Sequence, residues 1–185
     1  AGFTIWIAGM NGSKKNCRQS AQKFKGSKQM SDDARFEEAQ TRALRLQAMD
    51  QDDLHVISSL VQDSVFSSAE MTWQPGKRRF ALLLNRFRWE DGKTNRAERV
   101  QSLLVLDGVL KVASSGFSRD DKDLVLSLLA LEFAAEKDGA GTVNLTLAGD
   151  GGIALSVECI DVSLKDVTKP YWAISGKSPR HDLKE

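Results

Sequence analysis

The chain has 185 residues, 41% of them apolar and 28% charged, which fits one soluble globular domain and excludes a fibrous repeat or a wholly disordered chain. No stretch approaches the roughly 18–20 uninterrupted apolar residues of a membrane helix. Cys17 and Cys159 are too few and too far apart for a disulfide framework or a zinc knuckle, and His55 and His181 leave little for a histidine-based metal site. The formal charge of +1 hides two unlike parts: residues 1–29 hold six basic side chains and no acid, whereas residues 30–185 carry a net −5.

The basic part lacks helical or strand periodicity. Its apolar opening, AGFTIWIAGM, is too short to cross a bilayer, and NGSKKNCRQSAQKFKGSKQ after it is polar and punctuated by Gly and Ser. We expect residues 1–29 to be a disordered arm outside a single domain at 30–185. It is upstream sequence joined to a start at Met30, or a genuine basic arm that touches nucleic acid, or a remnant of a targeting or engineered segment.

Along the rest of the chain, RALRLQA at 42–48 alternates as a half-buried strand. Asp50 offers a helix cap, and Leu54, Ile57, Val61 and Val65 form a stripe that predicts a helix over about 51–65. Pro75-Gly76 marks a turn between strands at 70–74 and 79–90, the second with Phe80, Leu82 and Leu84 on one face. RVQSLLVLDGVLKVASSGF reads as two strands joined as a hairpin at Asp107-Gly108, or as one strand bent at Gly108. SRDDKD suggests a helical turn, LVLSLLALEF a buried strand, and TVNLTLAGDGGIALSVEC a hairpin with Cys159 on its apolar phase. After it, Ile160, Leu164 and Val167 have helical spacing, while Val162 and Leu164 would equally continue a strand. Tyr171 and Trp172 are candidate anchors for the tail. The order predicts an α+β fold: one N-terminal helix and a mostly antiparallel sheet of about seven to eight strands, with a pleckstrin-homology-like barrel as one arrangement.

The stretches DLHVISSLVQDSV, RRFALLLNRFRWE, VLSLLALEF, GTVNLTLAGDGGIALSVECIDVSLKDV and PRHDL resemble an alphaproteobacterial family, domain of unknown function 2948, over about residues 42–183. That resemblance implies a small bacterial cytosolic protein. It brings no activity, cofactor or functional residue with it.

No catalytic constellation emerges from the residues. GDGG at 149–152 joins two strands and has no helix behind it to hold a phosphate. His55 lies near Ser58, Ser59 and Asp63 without a strand-to-helix elbow, and the aspartates at 52–53 and 120–123 suit helix starts without a metal. One segment stands out. Residues 77–99 carry eight basic and three acidic side chains, so the remainder of 30–185 carries a net −10. Arg86 and Arg88 share a strand face, which gives the candidate binding residues Arg78, Arg79, Arg86, Arg88 and Trp89 for an anionic protein or ligand. The expectation is a non-enzymatic cytoplasmic binding domain without a cofactor, membrane contact or metal. The alternative is a small-ligand-binding protein or enzyme with scattered site residues, and weak nucleic-acid binding through the arm and the 77–99 hairpin stands third.

Overall fold

The alternating apolar runs pair with one another in the computed structural model, which describes residues 4–6, 43–91, 98–118 and 120–172. Twelve strands form one sheet: β1 (Thr4–Trp6), β2 (Arg45–Ala48), β3 (Ser64–Ser67), β4 (Met71–Gln74), β5 (Arg79–Phe87), β6 (Glu98–Leu106), β7 (Val109–Ser115), β8 (Val125–Ala135), β9 (Gly141–Leu147), β10 (Gly152–Val157), β11 (Val162–Asp166) and β12 (Tyr171–Trp172). The order is β1-β7-β10-β9-β8-β3-β5-β6-β11-β2, with β4 beside β5 and β12 beside β6. All the pairings are antiparallel. The α+β class is as expected. The strands outnumber the seven to eight read from the sequence, and the sheet is open, not a closed pleckstrin-homology-like barrel.

One α-helix, α1 (Gln51–Val61), packs Leu54, Ile57 and Val61 into the core. The Asp50 side chain caps it, accepting the Asp53 N–H at 2.8 Å. Such a cap contributes about 1 kcal/mol, so Asp50→Ala should lower the denaturant midpoint by that equivalent while leaving the strand spectrum unchanged. The helix stops four residues short of the expected Val65. Asp63 takes a left-handed φ of 58°, and Ser64–Ser67 then alternate inward and outward as β3 against β8.

Long-range pairing decides two readings that the sequence leaves open. Asp107-Gly108 does not close a hairpin: β6 pairs with β5 and β11, whereas β7 pairs with β10 and β1. Gly108, at φ 71°, instead bends the chain between β6 and β7. The Glu158 N–H donates to the Gly108 carbonyl at 3.1 Å, and the Asp107 N–H donates to the Asp161 carbonyl at 2.9 Å, so β10 and β11 bend alongside. The helical alternative after Cys159 is absent. Val162–Asp166 is a strand between β6 and β2, and Cys159 lies half-buried in the preceding bend, not on the apolar phase of β10. Residues 120–123 form turns without a helix.

The 143–147 and 153–157 hairpin is as read from the sequence, with Val143, Leu145, Leu147, Ile153, Leu155 and Val157 all buried. Of residues 1–29, Thr4–Trp6 pair with Ser114, Ala113 and Val112 of β7; the rest of that arm and the tail beyond Trp172 lie outside the described residues.

Candidate functional site

The inward phase of β5 runs Phe80, Leu82, Leu84 and then Arg86. Arg86 is therefore 0% exposed, and the expectation that it presents a guanidinium at an open strand edge is corrected. Its five N–H donors all have acceptors. Nε donates to Ser102 Oγ at 3.0 Å and Asp166 Oδ1 at 3.1 Å. Nη2 donates to Asp166 Oδ2 at 3.0 Å and Glu90 Oε1 at 2.6 Å, and Nη1 to Glu90 Oε2 at 2.9 Å and the Phe87 carbonyl at 3.4 Å.

Ser102 and Asp166 occupy the corresponding inward phases of β6 and β11. The Ser102 hydroxyl donates to Asp166 Oδ1 at 2.6 Å, and the Leu44 N–H donates to Asp166 Oδ2 at 3.0 Å. One ionic cluster thus ties β5, β6, β11, the lead-in to β2 and the turn holding Glu90. Burial pushes the carboxyl groups of Asp166 and Glu90 upward. Hydrogen bonds from Arg86 outweigh this and hold both below their ordinary values, assisted by Ser102 at Asp166. With its hydroxyl fully buried and already bonded, Ser102 offers no nucleophile to solvent. The cluster is a structural tie between strands.

The other expected residues are engaged as well. Arg88, with 9% of its side chain exposed, donates to Glu98 at 2.8 Å. Arg79 holds Asp107 bidentately at 2.7 and 3.0 Å, and Arg78, left-handed at φ 50°, pairs with Glu158. Trp89 stacks at a tilt on Phe87, 4.6 Å between ring centroids, and donates to the Gln62 carbonyl at 3.4 Å. Near His55, the buried Ser58 hydroxyl accepts the Leu131 N–H at 2.8 Å, while Ser59 donates to the His55 carbonyl at 3.0 Å. These contacts use both serines structurally. Among the described residues no cluster of His, Cys, Asp or Glu could hold a metal ion, and no helix is long and apolar enough to cross a membrane.

Among the described residues, a like-charged cross-strand pair lies on the outward face of β2 and β11, next to β6, and sequence reading missed it. Arg45 and Lys165 are direct cross-strand partners, both exposed, and neither meets a carboxylate among the described residues. Like charges directly opposite are destabilising, by roughly 0.2–1 kcal/mol. Lys165 also sits opposite Leu103 of β6, and on the same face Arg99 sits opposite Tyr171 of β12. Arg99 donates to the Asn85 carbonyl at 3.1 Å. Exposed apolar groups adjoin this face: Val167 at 48%, Tyr171 at 37% and Trp172 at 54%. Asp161, just before β11, and Asp107, just after β6, are engaged by Gln47 and Arg79.

The family model for a protein of unknown function, DUF2948, matches residues 44–181. The chain belongs to that family. The match starts at the lead-in to β2 and covers every described element except β1, so it contains both the buried cluster and the charged outward face of this DUF2948 member. Neither the curated proteins nor the solved structures give a match.

Proposed function

We propose that this DUF2948 protein is an interaction domain that works by surface contact and not by chemistry, with the outward face of β2, β11, β6 and β12 as the contact. The observation that carries this reading is Arg45 opposite Lys165: two exposed cations directly across a strand pair, with no acid between them among the described residues. A partner supplying the missing charge would relieve that repulsion at no cost to the interior, where Arg86 is fully matched. The reading keeps an anionic partner but moves its contact away from Arg78, Arg79, Arg86 and Arg88, whose guanidinium groups face carboxylates of the same chain. It takes residues 30–185 as the working domain and the basic residues 1–29 as an accessory arm, in a bacterial cytoplasmic setting.

Charge reversal at Arg45 and Lys165 together tests it. The R45E/K165E double variant keeps two like charges opposite each other, so its unfolding midpoint should match that of the unaltered chain. Surface changes of this kind are usually within about 0.5 kcal/mol. Co-purification from native extract should then recover a partner with the unaltered chain and lose it with the variant. Undiminished recovery by the variant would remove this face from consideration.

A further inference from the structure

The chemistry of the face also narrows what it receives. We propose that the occupant is an acidic segment of a partner protein that also carries apolar side chains, an inference that rests on the interaction-domain reading above. Three features select it. Arg45 and Lys165 lie side by side, while Arg99 stands four residues along β6 from Leu103, the residue opposite Lys165. At about 3.4 Å per strand residue that separation is about 14 Å. One small anion could bridge the first pair but could not also reach Arg99, whereas carboxylates about four residues apart on an extended chain reach both.

Apolar groups lie among these cations: Leu103 below Lys165, Val167 just after β11, and Tyr171 opposite Arg99. A segment that alternates acidic and apolar residues fills both kinds of position, and burial of its apolar groups adds to the charge attraction.

Nucleic acid fits less well. Three cations neutralise at most about three phosphates, and affinity for a polyanion is built from such contacts. The domain outside residues 77–99 carries a net −10, which repels a polyanion approaching on a broad front. An acidic peptide presents its charge only where the face is positive.

The test uses the full chain and three labelled probes: the acidic peptide DLFEDLFE, its basic counterpart KLFKKLFK, and a twelve-nucleotide single-stranded DNA. Fluorescence anisotropy should show saturable binding of the acidic peptide, roughly tenfold or more weaker to R45E/K165E. The basic peptide should show the reverse preference. Absence of saturable acidic-peptide binding overturns the proposal, as does equal binding by the reversed variant. Tighter binding of the oligonucleotide than of the peptide would make the face a nucleic-acid contact. Peptide binding that emerges only after residues 31–40 are deleted would identify the chain's own SDDARFEEAQ as the occupant. If R45E/K165E loses a co-purified partner yet the acidic peptide never binds, the interaction-domain reading stands and this inference fails.

Discussion

Arg86→Ala should lower the unfolding free energy by about 3–5 kcal/mol, the cost of breaking a buried ion pair by removing one partner. For a chain of this size that corresponds to a fall of roughly 6–20 °C in Tm. The origin of the loss is specific. Asp166, itself buried, and Glu90 would lose the guanidinium that donates to them at 3.0 and 2.6 Å, and Ser102 would lose a donor at 3.0 Å. Joint replacement of Arg86, Asp166 and Glu90 by Met, Leu and Gln should recover much of the stability, because no buried charge is then stranded. Urea titrations of the single and triple variants measure both effects. A cost below about 1 kcal/mol for Arg86→Ala would mean that the cluster is far more solvated than described.

The same cluster sets an acid limit. Asp166 and Glu90 have folded pKa values below their unfolded ones, so their stabilisation is fully present above the unfolded carboxylate range, about pH 4. It is lost as pH falls through the lowered folded values, when both carboxylates take up protons. The unaltered chain should therefore lose stability below about pH 4, and the triple variant should lose less over that window.

How much of this was legible in the sequence follows from the range of each signal. The alternation Phe80, Leu82, Leu84 already points Arg86 inward. Leu104 and Leu106 do the same for Ser102, and Val162 and Leu164 for Asp166. Each polar residue at the end of an apolar phase is visible locally. Their meeting is not, since it depends on the β5–β6 and β6–β11 registers between segments 80 residues apart. Reading Arg86 and Arg88 as a pair on an open face fails for that reason: Arg86 faces inward on β5, and Arg88 follows the end of that strand and pairs with Glu98.

Arg45 and Lys165 pose the same problem in reverse. Each resembles an ordinary surface charge until the β2–β11 pairing sets them opposite each other. Asp107-Gly108 shows a local turn preference outweighed by longer ladders, because the strands on either side of it each have other partners. The 143–157 hairpin was readable because its pairing is local and its turn lies between two clean alternations.

Gly116→Ala should cost about 2–5 kcal/mol, the second large effect, and it arises where no side chain is lost. Gly116 follows β7 at φ 79°, a left-handed conformation that costs a residue with a Cβ about 1–2 kcal/mol. An added Cβ would also lie 2.6 Å from the Asp150 carbonyl oxygen and 2.7 Å from the Gly151 Cα. Both are backbone atoms of the β9–β10 turn, where Gly149 and Asp150 are themselves left-handed, so no flexible side chain can move aside. Separating the two segments strains the β7–β10 ladder at Ser115–Gly152, an overpacking cost of about 1–3 kcal/mol. Gly149→Ala separates the two contributions. Gly149 has φ 77° but nothing within 4 Å of an added Cβ, so only the conformational cost of about 1–2 kcal/mol applies. Denaturant midpoints should therefore fall further for Gly116→Ala than for Gly149→Ala. Equal losses would show that the end of β7 does not lie against the β9–β10 turn.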